Sequence, residues 1–373
     1  MGFREQSARV RRILGIVLAV VLLGGVAAAF VLGGDKGENG TATKTVRGVI
    51  GSEKAEFFAD PEVVKALAAK GLTVRTETSG SWDMEELPLK GYDFAFPSAK
   101  APADEIKAKL KVTAATQRPF YSPLVVVAHS AAAKVLSQNG LATLGPGGRT
   151  GVLKMEPYLA AARADRTWQQ LKGSAGHADL SGTVFITSTD PIASNSGALY
   201  LAAASYVADG GRVAGDKTAV DRTAPLLRKL IAVQGAQQSS SDAPFRDFIS
   251  NVGNPLVLVY ESQVASQLIA KQDMGDLVVL YPDTTVSSDH TVVPLTEAGR
   301  TLGELLANDP ELRKLAVRHG FRPQGPAGEF TAAVAGQTGY LKQTLDGIRQ
   351  APVPTSKVLH EMALRARDQG GTP

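Results

Sequence analysis

Short apolar segments typical of β-strands alternate with helical segments along most of this chain, and this alternation limits the possible folds more than any other feature. Residues 45–51 form a β-rich run, Asp60-Pro61 can cap and begin a helix, and residues 72–78 alternate as a strand does. Residues 92–97 and 102–111 then predict a further strand and a further helix. Strands that alternate with helices predict a parallel sheet covered by helices, an α/β protein.

The alternation of predicted strands and helices continues in the second half of the chain. With 373 residues, of which 44% are hydrophobic, the chain can form two domains or one large bilobed domain with substantial cores. The polar run at 237–242 predicts a surface loop. The further predicted strands are 123–128, 183–187, 256–260 and 277–281, and the further helices are 197–208, 224–234, 296–306, 310–319 and 356–367.

An uncharged apolar run of 22 residues lies near the N-terminus, at 13–34, bounded by Arg12 and Asp35. As a helix it would be about 33 Å long, enough to cross the hydrocarbon core of a bilayer. The arginines in front of it predict a cytoplasmic N-terminus and an extracytoplasmic remainder. An uncleaved single-pass anchor is favoured because Phe30-Val31-Leu32 continues the run beyond a possible cleavage site at Ala27-Ala28-Ala29. A cleaved signal peptide, followed by secretion, is the alternative.

The positive charge of the chain is concentrated in front of that apolar run. The chain has 40 Lys and Arg against 36 Asp and Glu, a net charge of +4, and residues 1–12 supply +3 of it. Because the basicity is local and the aromatic residues are not interleaved with basic ones, nucleic-acid binding is not predicted. The absence of cysteine excludes disulfides, thiol nucleophiles and a lipid anchor on an N-terminal cysteine.

Four turns place small hydroxyl residues directly after an apolar strand and before a helix. They are Gly51-Ser52-Glu53-Lys54, Thr78-Ser79-Gly80-Ser81, Phe96-Pro97-Ser98 and residues 188–197. Ligands of parallel α/β sheets bind beyond the carboxyl ends of the strands, where helix N-termini and hydroxyls offer hydrogen bonds. Any one of these turns can be a plain helix cap. Together, the four turns predict a shared polar cleft.

Three further segments follow one another in an order that is typical of one family. The first is Arg118-Pro-Phe-Tyr-Ser122, which continues into the apolar run 123–128. The second combines Thr167-Trp168-Gln-Gln-Leu171 with Ser188-Thr-Asp190-Pro191 and Ser194-Asn-Ser196-Gly197. The third is Leu258-Val-Tyr260-Glu261-Ser-Gln263, followed by 279–282 and Pro294-Leu295. Through these segments, residues 45–322 resemble bacterial extracellular solute-binding proteins of the type 2 periplasmic-binding fold, the receptors of ABC importers.

The resemblance implies a two-lobed α/β protein that closes over a small ligand in an interlobe cleft, preceded here by one transmembrane helix. It implies an ABC permease, or another membrane protein, as partner, and no cofactor. The implied ligand-binding residues are Ser52, Glu53, Lys54, Ser79, Gly80, Ser81, Ser98, Ser122, Asp190, Ser194, Ser196, Gly197, Tyr260 and Glu261. The usual lipidated cysteine is absent, and the N-terminal helix would supply the same tethering.

The predicted organisation divides the chain into seven parts. Ahead of the lobes come a cytoplasmic basic segment, the anchor or signal, and a linker, at 1–12, 13–34 and 35–44. The first part of lobe 1 is 45–122, lobe 2 is 123–281, lobe 1 returns over 282–322, and a helical extension occupies 323–373.

Catalysis and metal binding are not predicted. The five histidines lack the spacing of metal ligands, and we expect them on the surface or partly buried. No nucleophile motif is present, although Glu53 and Glu261 could pair as acid and base in a hydrolase or transferase. A sensory or protein-interaction module on the same fold is the alternative to a transport receptor.

The ligand class stays open on the sequence alone. Hydroxyls, helix N-termini and Lys54 suit an anion, whereas Glu53, Asp190 and Glu261 suit an amine or a polyol. The two sets could also meet in one zwitterion.

Overall fold

Two α/β lobes share a single long strand. The protein is described here from a computed structural model that covers residues 43–325 and 327–367. The strands are β1 Lys44–Ile50, β2 Leu72–Thr78, β3 Phe94–Phe96, β4 Gln117–His129, β5 Ala142–Leu144, β6 Thr150–Leu153, β7 Leu256–Tyr260, β8 Leu277–Pro282, β9 Thr284–Thr285, β10 Ser287–Pro294, β11 Arg322–Pro323 and β12 Arg349–Gln350. The helices are α1 Ala55–Ala59, α2 Pro61–Ala69, α3 Lys100–Lys109, α4 Ser130–Gln138, α5 Met155–Arg163, α6 Asn195–Ala208, α7 Lys217–Ala232, α8 Asp242–Ile249, α9 Glu261–Ile269, α10 Glu297–Asn308, α11 Pro310–Arg318, α12 Gly328–Ala333 and α13 Ser356–Arg367.

Lobe 1 contains the parallel strands that the alternating pattern predicts. β1 is central and pairs in parallel with β2 on one side and β3 on the other. β10 follows in antiparallel orientation and connects β3 to the first half of β4. The carboxyl ends of β1, β2 and β3 therefore lie at one edge of the sheet, where their following turns meet.

Lobe 2 is built on the second half of β4. From Leu124 onward this strand pairs antiparallel with β7 on one side and β8 on the other, and β6 extends the sheet in parallel with β8. β4 leaves lobe 1 between Ser122 and Leu124, and the chain returns from β8 through β9 into β10. Two crossing segments thus connect the lobes, and Ser122 pairs with Ser288 at their centre.

Local signals explain why several helices begin where they do. The Asp60 carboxylate accepts the Glu62 N–H at 2.7 Å, and Pro61 occupies the first helical position of α2, as the sequence predicts. Asp309 caps α11 in the same way, through the N–H groups of Glu311 and Leu312. Such caps stabilise helices by satisfying donors that have no partner within the helix.

Apolar side chains form a core on each face of each sheet. In lobe 1, Val46, Phe94 and Leu302 belong to the core beneath α1, α2, α10 and α11, and a smaller core lies beneath α3. In lobe 2, one core lies among α4 to α7 and the other beneath α8, α9 and α12. Fully apolar strands such as β7 are buried on both faces, which explains their continuous hydrophobic sequence.

The C-terminal helix α13 contacts both lobes. Val358 and Met362 lie in the lobe 2 core against α7, whereas Leu359 packs with Trp82 of lobe 1 and with Ala198 and Ala202 of α6. The sequence predicts this helix with the bounds that the structure has. The described part of the extension after β11 therefore runs back over lobe 2, and its helix α13 packs between the lobes.

Replacing Leu359 with alanine is expected to lower the free energy of unfolding by about 2–5 kcal/mol, because a cavity would open at a fully packed position. Leu359 is only 1% exposed. Leu364, on the same helix, is 51% exposed, so Leu364→Ala is the matched control and should change stability by no more than about 0.5 kcal/mol. Urea denaturation of both variants checks this, and equal effects would contradict it.

One local prediction from the sequence is wrong. Residues 183–187 form no regular strand, since they make isolated bridges only at Thr183 and Thr187. After Thr187 the side chain of Gln234 accepts the next N–H, of Ser188, at 2.7 Å and ends the pairing with β7. Residues 237–241 form a loop, as predicted, but Ser241 is buried and Asp242 already begins α8.

The predicted membrane segment at 13–34 lies outside the described residues. Among the residues that the structure does describe, none of the helices combines the length and the apolar character needed to span a bilayer.

Candidate functional site

The hydroxyl-bearing turns of both lobes meet at one small cavity, which we call the inner cavity. Its volume is about 10 Å³, room for about one water molecule. From lobe 1 it is lined by Gly51, Ser52, Glu53, Ser79, Gly80, Ser81 and Ser98, and from lobe 2 by Ser194, Ser239, Ser241 and Tyr260. The turns that were predicted to share a polar cleft therefore lie together at one cavity between the lobes.

The three parallel strands of lobe 1 place its share of the lining. β1 is followed by Gly51 and a 3-10 turn over Ser52–Lys54, β2 is followed by Ser79, and β3 is followed by Pro97 and Ser98. Gly51 is required because a Cβ there would lie 2.6 Å from the Glu53 carboxylate and from Ser98 Oγ. The Ser98 hydroxyl donates to Glu53 Oε1 at 2.7 Å, which ties two of these turns together.

A buried ion pair forms the floor of the cavity on the lobe 1 side. The Lys54 ammonium is completely buried and contacts the Glu53 carboxylate, His290 Nδ1 at 3.2 Å and the face of Phe96. Burial alone would raise the pKa of Glu53, but the Lys54 charge and the contact with His290 hold it well below its usual range. Burial, reinforced by Lys54, lowers the pKa of His290 to about 4, so the imidazole is neutral at pH 7.

A second carboxylate, Asp242, approaches this floor from lobe 2. It begins α8 and accepts a hydrogen bond from Gln263 Nε2 at 2.8 Å. Burial, together with the negative charge of Glu53, raises the pKa of Asp242 to about 6. The Ser240 hydroxyl donates to Ser52 Oγ at 3.0 Å, a direct bond between the lobes.

A layer of polar side chains surrounds the crossing strands behind the cavity. Asn195 Nδ2 donates to Tyr260 Oη at 3.1 Å and to Ser288 Oγ at 3.0 Å, and Ser288 in turn donates to the Ser98 carbonyl. Asn195 Oδ1 is buried and has no hydrogen-bond partner. Ser122 accepts the Ser262 N–H at 3.0 Å and so fixes the start of α9.

The lobes touch directly at the rim of the cavity. The backbone N–H of Trp82 donates to the Ala193 carbonyl at 3.1 Å. A Cβ at Gly80 would lie 2.4 Å from the same carbonyl oxygen, so no larger residue fits there with the lobes in this position. The protein is therefore in a closed arrangement.

A larger pocket of about 490 Å³ shares the lining residue Ser239 with the inner cavity. Asp83, Asp190, Ala193, Gln237 and Arg367 are among its lining residues. Arg367 donates to the Asp190 carboxylate at 2.7 Å. We call this the outer pocket.

Eight of the fourteen predicted site residues line the inner cavity, and six lie elsewhere. The eight are Ser52, Glu53, Ser79, Gly80, Ser81, Ser98, Ser194 and Tyr260. Lys54 lies beneath the floor, Ser122 in the crossing strand, and Asp190 in the outer pocket. Ser196 bonds Thr189 at 2.7 Å, and Gly197 packs against the Thr189 carbonyl, so both hold the turn behind Ser194.

Glu261 points away from the cavity although Tyr260 lines it. Its side chain is fully buried and accepts two hydrogen bonds from Arg322, at 2.6 and 2.9 Å, and one from Tyr281. Glu53 contacts Lys54 and Ser98, so the two carboxylates share no partner and do not form the acid–base pair considered from the sequence.

Several residues of the site were not predicted from the sequence. Ser239, Ser241 and Asp242 were assigned to a surface loop, although their run of hydroxyls directly precedes a helix, α8, as the hydroxyls of the other turns do. His290 was expected on the surface or partly buried, and the structure buries it completely beside Lys54. Within residues 43–325 and 327–367, no group of acidic, histidine or cysteine side chains is arranged to hold a metal ion.

Comparisons with known proteins support the fold. Neither a known protein family nor a curated protein matches the sequence. The sulfate-binding protein SubI from Mycobacterium tuberculosis H37Rv superposes with a TM-score of 0.53 at 16% identity, covering 83% of this chain and 92% of its own. Iron-bound HitA from Pseudomonas aeruginosa superposes with a TM-score of 0.54 at 12% identity, covering 87% and 98%. The predicted type 2 periplasmic-binding fold is thereby confirmed.

Proposed function

We propose that this protein captures a small solute in the cavity between its lobes, outside the cytoplasm. The observation that carries the proposal is the inner cavity itself, because hydroxyls from both lobes line it and the lobes meet around it. Such a site binds by closing, since a ligand that contacts both lobes stabilises the closed arrangement over an open one.

The cellular setting follows from the sequence and belongs to the same proposal. The apolar run at 13–34 behind four arginines supports a membrane anchor with the two lobes on the outer side. A tethered receptor of this kind delivers its solute to a membrane protein beside it, and an ABC permease is the partner that the fold favours. Binding, not turnover, is the activity we infer, because the Glu53 carboxylate of the site is paired with the buried Lys54 ammonium.

Gly80→Val tests this proposal. The valine side chain would force the Ala193 carbonyl away by about 1 Å or more, so the lobes could not close. A thermal-shift panel of choline, putrescine, glycine, glycerol, sulfate and phosphate is applied to the full-length chain. We expect at least one solute to stabilise the wild type and to bind the variant at least about tenfold more weakly, ~1.4 kcal/mol.

Gly215→Val is the matched control, because Gly215 lies in lobe 2 and a Cβ there meets no neighbouring atom. It should bind as the wild type does. A solute that binds Gly80→Val and the wild type equally well would show that binding does not need closure, and the proposal would fail.

A further inference from the structure

The C-terminal extension contacts lobe 1, a crossing segment and lobe 2 in turn. β11 pairs with β4 in lobe 1, where Arg322 lies opposite Tyr121. β12 then pairs in parallel with β9, which belongs to the segment that returns from lobe 2 to lobe 1. The helix α13 begins at Ser356, shortly after β12 ends at Gln350. The extension is therefore a third chain connection between the lobes, beside the two crossing segments.

One face of α13 fixes this helix to lobe 2. Val358, Met362 and Ala366 all belong to the lobe 2 core, and their spacing of four residues places them on one side of the helix. Arg228 of α7 donates to the Arg365 carbonyl at 3.0 Å and adds a polar contact near the end of the helix. We therefore expect α13 to move with lobe 2 when the lobes separate.

The neighbouring face of α13 contacts Trp82, which belongs to lobe 1. Leu359 shares one apolar cluster with Trp82, Ala198 and Ala202, and the two alanines lie on α6 of lobe 2. The His360 ring meets the indole edge-on, with the ring centroids 5.5 Å apart. Trp82 is only 4% exposed. Opening the lobes would return apolar surface of this tryptophan to water, which costs free energy.

The same helix contacts a pocket-lining turn of each lobe. In lobe 1, Trp82 directly follows residues 79–81, which line the inner cavity. In lobe 2, Arg367 at the end of α13 donates to Asp190, in the turn before α6, at 2.7 Å. The position of α13 is therefore linked to the relative position of the two turns.

The contact between Trp82 and α13 is apolar and contains an unsatisfied donor. Among the described residues, the buried Trp82 Nε1–H finds no acceptor. A buried donor without a partner costs free energy, which is recovered when water reaches it. This cost offsets part of the gain from burying the ring. The contact is thus of a kind that breaks and re-forms, unlike a buried ion pair.

On the premise, proposed above, that the lobes open to admit a solute, we propose that α13 is a clasp that holds them closed. It stays on lobe 2 and stabilises the closed arrangement through Leu359 and His360 against Trp82. A solute enters or leaves only when Trp82 separates from this helix. The C-terminal helix therefore sets how often the site opens.

A single introduced thiol can report this opening, because the chain contains no cysteine. Ser194→Cys places the thiol in the wall of the inner cavity, where Ser194 is 7% exposed, and N-ethylmaleimide reaches it when the lobes separate. Ala204→Cys places it in the lobe 2 core, where it reacts only on unfolding. Labelling of the full-length chain in low concentrations of urea should accelerate steeply at position 204 and only slightly at position 194, since opening exposes less surface than unfolding does.

Trp82→Ala should increase the labelling rate of Ser194→Cys at least about tenfold and keep its weak dependence on urea, because the clasp loses its contact in lobe 1. His360→Ala should increase this rate about threefold. The two substitutions together should label no faster than Trp82→Ala alone, since both remove one contact. Lys357→Ala, at an exposed position of the same helix, is the matched control and should label as the parent does.

Three results would overturn the clasp. The first is an unchanged labelling rate in Trp82→Ala. The second is an acceleration that depends on urea as steeply as labelling of Ala204→Cys does, because the fold would then have been lost instead of the clasp. The third is a double variant whose acceleration is the product of the two single effects. No solute enters this experiment, so its failure leaves solute capture, which Gly80→Val tests, standing.

Discussion

Replacing Lys54 with methionine is expected to lower the free energy of unfolding by about 3–5 kcal/mol at pH 7, because it leaves the Glu53 carboxylate buried without a counter-charge. Lys54 is completely buried and the Glu53 side chain is 3% exposed, so water cannot replace the ammonium. Methionine keeps the length and apolar stem of the lysine and its contact with Phe96. Urea denaturation of the full-length chain provides the measurement.

The pH dependence of the stability of Lys54→Met identifies the uncompensated Glu53 charge as the cause of the loss. In the wild type the pKa of Glu53 is lowered, so its stabilising contribution is present above the unfolded pKa of about 4.3 and is lost only below it. In Lys54→Met the isolated Glu53 carboxyl takes up a proton more readily. The difference in the free energy of unfolding between the wild type and Lys54→Met should therefore shrink as the pH falls towards 4.

Two further variants complete this prediction. Glu53→Gln in the Lys54→Met background removes the uncompensated charge and should recover part of the lost stability. Lys65→Met, at an exposed position of α2, should change stability by no more than about 0.5 kcal/mol. A loss below about 1 kcal/mol in Lys54→Met would mean that the pair is unimportant for stability.

Arg322→Met is expected to have an effect of the same size, a loss of about 3–5 kcal/mol, at the second buried ion pair. Arg322 donates to both oxygens of Glu261, to the carbonyls of Lys342 and Gln343, and stacks on Phe330 at 4.0 Å. The guanidinium therefore fixes the segment after β11 to lobe 2. Its loss should also expose residues 323–350 to limited proteolysis before global unfolding.

Arg322→Lys separates charge from geometry in this pair. Lysine keeps the positive charge but cannot make the forked contact with Glu261 or reach all four acceptors, so we expect an intermediate loss of stability. Arg349→Met, an exposed position in the same segment, is the control and should leave both stability and cleavage unchanged. If Arg322→Met is cleaved no faster than the wild type, the guanidinium does not hold this segment.

The sequence predicted the elements whose signals are local. β2, β7 and α13 have the predicted bounds because alternation, continuous apolar character and amphipathic spacing are properties of neighbouring residues. The Asp60-Pro61 start of α2 is equally local. The hydroxyl turns were also predicted, since a parallel sheet places the carboxyl ends of its strands at one edge whatever the details of packing.

Only the tertiary structure decided what each charged residue in those turns does. Glu53 and Lys54 are adjacent, yet one lines the cavity and the other is buried beneath it against His290, which is 236 residues away in the chain. Tyr260 and Glu261 are adjacent as well, and the second turns to Arg322, 61 residues further on. Local spacing cannot specify partners at such separations, because desolvation selects them only when the lobes have packed. The sequence therefore determined where a polar cleft lies, and the tertiary structure determined which of its charged residues line the cavity and which are buried in ion pairs.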